Sequence, residues 1–206
     1  MYKFYYAQGT CALASHIALE EAGAPYMAER LDFKTNQQNS PEYLAINPKG
    51  RVPTLVTDRG ILTETPAILA FIAQSFPQAR LAPFEDAFAL AEVQAFNSYL
   101  CSTVHVAHAH KLRGYRWAAE ESSFTDMKRM VPKSVAACFA LIERSMLPGP
   151  WVMGESYTIC DPYLFTVGQW LEGDGVDVAA LPKAMAHRER MQERPAVRKV
   201  MEVEKA

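Results

Sequence analysis

The chain has 206 residues, half of them hydrophobic, with 21 Lys and Arg against 23 Asp and Glu and a formal net charge of −2. That length suits one domain or two small ones with a sizeable core, and the near-balanced charge, with no polybasic tail, speaks against nucleic acid as a partner. No apolar run is long enough for a membrane span, and the aromatic N-terminus is not a signal-peptide core. Cys11, Cys101, Cys138 and Cys160 are scattered with no CxxC pair, so neither a disulfide framework nor a zinc site is expected, and a reducing, cytoplasmic location is.

Residues 2–7, YKFYYA, read as a strand. After the turn Gln8-Gly9-Thr10, residues 11–22 carry apolar positions at helical spacing, stopped by Gly23 and Pro25. Residues 26–31 give a second strand, and 34–40 a polar loop. The stretch NPKGRVPTLVTDRGILTETPAI is the densest in signals. Pro53 heads a β-branched run at a position where a missing N–H does no harm, and it holds Val52 extended. The backbone of Val52 is thereby left for a partner other than the sheet. Asp58-Arg59-Gly60 predicts a hairpin of 54–57 with 61–62. Thr65 is the expected N-cap and Pro66 the first residue of a helix to 75, whose open N–H groups suit a carboxylate. Strand, helix, strand, hairpin and helix make an α/β unit with its first two strands parallel.

Residues 76–83, with Pro77 and Pro83, read as a linker, and beyond it the pattern is all-helical. Residues 84–110 form one long helical pattern, 111–123 an irregular connection, and 124–145 a second helix that Pro132 must kink or begin. A loop rich in Pro and Gly covers 147–157. Thr158 and Asp161 have the spacing of a capping box ahead of an apolar run to 171. Residues 182–193 and 195–203 are two last helices, each with proline at its start.

The Val52-Pro53 run, Glu64-Thr65 at the following helix start and the leading FYYAQGTCALASH together resemble the thioredoxin-like N-terminal domain of the glutathione transferases. WVMG before Thr158–Asp161 resembles the segment that precedes the core capping helix of that family, so the resemblance spans the chain. The cysteine at position 11 is similar to that of the bacterial beta class. The resemblance implies an α/β thioredoxin-like N-terminal domain plus an all-α C-terminal helical domain. Residues 1–76 would bind glutathione and 84–206 would hold an electrophile pocket. It further implies transfer of the glutathione thiolate to a small electrophile, with glutathione as co-substrate, no metal, and a homodimer. Two alternatives stay open: glutathione-dependent thiol–disulfide exchange through Cys11, or a non-catalytic glutathione-binding module on the same fold.

Cys11 stands at a helix start, where the helix field stabilises a thiolate; the resemblance puts it against the glutathione sulfur. His105 matches the beta-class histidine that faces the cleft, and a neutral imidazole can accept a hydrogen bond from a thiol. His108 shares its helix face, His110 does not, and no carboxylate is seen to complete a metal set. By resemblance, Val52, followed by a cis Pro53, pairs with the cysteinyl backbone, Glu64 and Thr65 bind the γ-glutamyl end, and Lys34 lies near the glycyl carboxylate. Lys49 and Arg51 add positive charge for an anionic ligand. Ser98 and Thr103 stand where the family has asparagine and glutamate, and Ser102 and Thr103 are candidate glutathione contacts. Tyr115 and Trp117 are expected to wall the electrophile pocket. The segment HVAHAHKLRGYRW over 105–117 departs from the family pattern and points to an unusual electrophile. The other three cysteines are expected to pack in helical faces.

Overall fold

The computed structural model describes residues 1–205. Four strands, β1 (Tyr2–Tyr6), β2 (Tyr26–Arg30), β3 (Thr54–Thr57) and β4 (Gly60–Thr63), form one sheet in the order β2-β1-β3-β4. β1 and β2 are parallel, joined through helix α1 (Ala12–Glu21), as the strand–helix–strand pattern requires. β3 runs antiparallel to β1 and β4 antiparallel to β3. The register sets Tyr5 opposite Thr54 and Thr54 opposite Thr63. The end of β1, the start of β3 and the end of β4 therefore share one end of the sheet. A four-residue helix α2 (Pro41–Leu44), too short to announce itself in the sequence, precedes β3, and α3 (Thr65–Ser75) follows β4.

The chain divides into two compact units. The first is Met1–Ala91 with the C-terminal segment from Met191, and the second is Glu92–Arg190. These units differ from the expected 1–76 and 84–206 division in that the first reaches to Ala91 and takes in the last helix, which packs on α1. The first unit's core is Phe4, Ile17, Leu19, Leu55, Ile68, Leu69 and Ile72, all fully buried. Its C-terminal segment, residues 194–205, is fastened to α1 by charge as well as by apolar contact. Arg194 forks onto the carboxylate of Glu21 at 2.5 and 2.8 Å, and Lys199 pairs with Glu20. His16 Nδ1 lies 2.9 Å from Glu204 Oε1 with both side chains buried. Charged residues in both helices made this pairing invisible to a local reading of either one.

The helices after α3 are α4 (Ala87–Tyr99), α5 (His105–Ala109), α6 (Glu121–Leu141), α7 (Cys160–Gly168), α8 (Pro182–Glu193) and α9 (Pro195–Lys205). Between α4 and α5 the chain winds as a π-helix over Leu100–Val104, a local widening within what the sequence reads as one long helix. Pro132 sits inside α6, which begins at Glu121 and continues past the proline. The core of the second unit is built from Val93, Leu100, Val104, Val131, Phe139, Ile142, Tyr163 and Phe165. The Thr158–Asp161 box is present: Thr158 N–H donates to Asp161 Oδ2 at 2.7 Å, and Cys160 N–H donates to Thr158 Oγ1 at 3.3 Å. The fully buried Asp161 also accepts from Val152 N–H at 2.9 Å and from His187 Nε2 at 3.0 Å. Among the described residues, no helix is long and apolar enough to cross a membrane.

Candidate functional site

In the first unit, the end of the sheet shared by β1, β3 and β4 gathers most of the residues singled out there. The β1–α1 turn is capped by Thr10, whose hydroxyl donates to Ala7 O at 2.7 Å and accepts from Ala12 N–H at 3.3 Å. Cys11 occupies the N-cap of α1, half-exposed, and its thiol reaches Val52 O at 3.6 Å. The helix start behind it carries the positive end of the α1 dipole, which favours an anion. The Val52–Pro53 peptide is cis, as expected. Val52 is buried, and its N–H makes no hydrogen bond among the described residues. Val52 therefore offers an unspent donor beside the thiol.

The loop that carries Val52 is held by a polar network the sequence reading missed. Tyr43 O–H donates to Arg51 O at 2.6 Å and lies 2.8 Å from Thr54 Oγ1; Asn47 Nδ2 donates to both of these acceptors at 2.8 and 2.9 Å. Tyr43, Asn47 and Thr54 are buried, and burial pushes the Tyr43 phenol up from its ordinary value. Gly50 completes the loop at φ 59°, where a Cβ would fall 2.6 Å from Asn39 Oδ1. Asn47 heads the stretch that drew attention in the sequence; Tyr43 gave no signal because its partners lie across a turn.

The helix start differs by one residue from expectation. Glu64, not Thr65, holds the N-cap position of α3, with φ 72° and ψ 123°. Thr65 is the first helical residue, buried, and Pro66 follows it in the first turn. The sharp turn at Glu64 ends β4 and starts the helix at once. A non-glycine residue held there costs on the order of 1–3 kcal/mol, a strain found mostly at functional positions. The Glu64 carboxylate pairs with Lys49 Nζ at 2.5 Å, and the same ammonium donates to Thr63 Oγ1 at 2.9 Å. Lys49 is thus already engaged by an acid. The Arg51 side chain is exposed, and its carbonyl belongs to the Tyr43 network. Lys34 is exposed in the loop after β2, and no hydrogen bond or ion pair joins its ammonium to the Val52 group among the described residues.

The second unit carries the remaining candidates. His105 begins α5, and its Nε2 lies 3.4 Å from Arg113 Nη2. Its ring faces Trp170, centroids 5.1 Å apart, and His108 stacks on the same indole at 4.3 Å and 24°. His108 Nδ1 lies 2.6 Å from Asp174 Oδ2, so a carboxylate does meet this histidine pair. Lys111 Nζ reaches Asp174 Oδ1 at 3.2 Å and also donates to Gly173 O. Trp170 and Asp174 follow α7, far along the chain, and the sequence offered no signal for them. Trp117 is exposed and meets His110 edge-on at 4.5 Å, and Tyr115 is exposed with the Arg116 guanidinium near its ring. Ser102 and Thr103 are exposed on the π-helical stretch, with the Ser102 hydroxyl donating back to Ser98 O at 2.8 Å. Among the described residues, no group of three or more His, Cys, Asp or Glu is placed to hold a metal ion.

A thioredoxin-like sheet, a cysteine at the first helix start, a cis proline and an all-helical second unit define a class of protein, and comparison with known proteins gives the family. Residues 1–74 match the model of the glutathione S-transferase N-terminal domain. The chain is 31% identical to the glutathione S-transferase GstA of Escherichia coli O157:H7 over 98% of both chains. It is similar in structure to a glutathione transferase homolog from Sulfitobacter with bound glutathione, at 48% identity and a TM-score of 0.96 over 98% of each chain. A beta-class glutathione S-transferase from Sphingomonas chungbukensis matches at 30% identity and a TM-score of 0.86, again over 98% of each. The chain belongs to the glutathione S-transferase family.

Proposed function

We propose that the protein conjugates the thiolate of glutathione to a small electrophile, with residues 1–76 binding glutathione and 84–206 binding the electrophile. The observation that carries this reading is the contact of Cys11 Sγ with Val52 O at 3.6 Å, at the α1 start and next to an unspent Val52 N–H. An extended cysteinyl peptide pairs with Val52 through its backbone, and its sulfur then lies over Cys11 and the positive helix end. The strained Glu64 and the α3 start at Thr65 bracket the γ-glutamyl end: the carboxylate of Glu64 takes the ammonium, and the Thr65 N–H and hydroxyl take the carboxylate. Lys49 holds Glu64 in place, and Arg51 and Lys34 supply long-range attraction for an anionic ligand. Ser102 and Thr103 add hydroxyl contacts from the helical part.

In the reaction, glutathione gives up its thiol proton, a carbon–sulfur bond forms, and the displaced group leaves with its electron pair. His105 acts on the proton or on charge developing at the electrophile, and Tyr115 and Trp117 flank the second substrate. The enzyme works as a cytoplasmic two-fold homodimer and needs no metal. Thiol–disulfide exchange is the second reading, favoured by the half-exposed position of Cys11 at a helix start. The test is retention on immobilised glutathione, elution by free glutathione, and turnover of 1-chloro-2,4-dinitrobenzene by the unaltered protein and by Cys11→Ala. Retention with turnover that falls but persists in Cys11→Ala supports conjugation. Retention without turnover, together with Cys11-dependent release of glutathione from a mixed disulfide, gives the second reading instead.

A further inference from the structure

We propose that His108, held by Asp174, is a proton donor to the electrophile, and that the electrophiles it serves are epoxides. This rests on the reading of the helical part as the electrophile-binding part. His108 Nδ1 lies 2.6 Å from Asp174 Oδ2. An ionised carboxylate only accepts, so Nδ1 carries the hydrogen of this bond and the ring exchanges its second proton at Nε2. The Asp174 side chain is almost fully buried, and its other oxygen is engaged by Lys111 Nζ at 3.2 Å. One face of the imidazole stacks on Trp170 at 4.3 Å and 24°. With that face and the Nδ1 edge both covered, the 21% of the side chain that is exposed is left to the Nε2 edge and the outer face. Among the described residues no hydrogen bond engages Nε2.

Asp174 is a positioning residue: it fixes the ring through Nδ1 and balances the charge of the doubly protonated form. His105, one turn earlier on α5, is built differently. Its Nε2 lies 3.4 Å from Arg113 Nη2, and since a guanidinium only donates, that nitrogen accepts and has no proton to give. Glu172, the other acid of the segment after α7, is forked onto Arg188 at 2.6 and 2.9 Å. A proton donor aimed at the electrophile is idle when chloride leaves an aromatic ring, because chloride departs as the free anion. Opening an epoxide is different: the oxygen becomes an alkoxide, and an acid placed there is worth about 10²–10⁴-fold. The glutathione sulfur, its proton already passed to solvent, bonds to one epoxide carbon, and the carbon–oxygen bond breaks with its pair on oxygen. That oxygen takes the Nε2 proton, and the ring regains one from solvent.

The test compares styrene oxide with 1-chloro-2,4-dinitrobenzene, uncatalysed rates subtracted. In the unaltered protein, heavy water should slow kcat for styrene oxide more than kcat for the aryl chloride, a comparison that needs no variant. His108→Gln should lower kcat for styrene oxide about a hundredfold with KM little changed, and kcat for the aryl chloride by a few-fold at most. In the same variant the excess slowing in heavy water should vanish. Asp174→Asn, which keeps an acceptor for the Nδ1 hydrogen and loses the charge, should also lower kcat for styrene oxide, by less, at unchanged KM. Lys133→Gln, at an exposed position on α6, should leave both substrates unaffected. Equal losses for the two electrophiles in His108→Gln, no excess slowing in heavy water, or turnover of the aryl chloride without styrene oxide overturns the inference while the transferase reading stands. Turnover of neither probe by a protein that binds glutathione overturns both this inference and the placing of the electrophile.

Discussion

Replacing Asp161 with alanine should cost the helical unit a large part of its stability, and the structure sets the size of that loss. The carboxylate is fully buried and accepts from Thr158 N–H at 2.7 Å, Val152 N–H at 2.9 Å and His187 Nε2 at 3.0 Å. All three donors belong to buried residues. Alanine leaves each of them without an acceptor, and a buried unsatisfied donor costs about 1–3 kcal/mol. Allowing for relaxation and an entering water, the sum is about 3–6 kcal/mol, against a total stability of about 5–15 kcal/mol for a native protein. Asp161→Asn keeps one carbonyl oxygen but turns an NH₂ toward a donor, so about 2 kcal/mol should be lost. Urea unfolding followed by far-ultraviolet circular dichroism reads both variants as a lower midpoint at unchanged slope. A loss below about 1 kcal/mol for Asp161→Ala would mean that the network is not what joins Val152, Thr158 and His187.

Glu204→Ala strips the buried His16 of its partner across α1 and α9, and should destabilise by about 3 kcal/mol; limited proteolysis should cut first near residue 195, and no change in cleavage would count against the clasp. Tyr43→Phe removes the hydroxyl that bonds Arg51 O and lies against Thr54 Oγ1. It should cost about 1–2 kcal/mol in urea and weaken glutathione binding several-fold in calorimetry, whereas unchanged affinity would separate the network from the Val52 loop.

The fold was legible wherever the signal was local. Pro53 before a β-branched run marked the start of β3, Asp58-Arg59-Gly60 marked the hairpin, and Thr158 with Asp161 marked the entry to α7, while the cis Val52–Pro53 peptide was implied by the family resemblance. That Cys11 and Val52 meet at one end of the sheet was implied by the family resemblance and not by any local signal. What stayed hidden was set by residues distant in sequence. Asp174 and Trp170 meet the His105–His108 face only after α7 has folded back, His187 finds Asp161 from α8, and Glu204 finds His16 from the last helix. Glu64 was hidden for another reason. Its positive φ is imposed by a strand ending directly in a helix, and glutamate has no intrinsic preference that would announce it. The expected Tyr115 and Trp117 walls came from their nearness to His105 in sequence, while the ring that meets His105 is Trp170.

If Cys11 and the Val52 backbone form one glutathione-binding group, as proposed, bound glutathione must shield the Cys11 thiol from alkylation. Burial pushes the Cys160 thiol far up, and that of Cys138 up as well, so both should react slowly with iodoacetamide in the folded protein. Cys11, half-exposed at a helix start, should alkylate first, and tryptic mapping should show it alone protected by bound glutathione. Alkylation of Cys11 at the same rate with and without saturating glutathione would contradict the account.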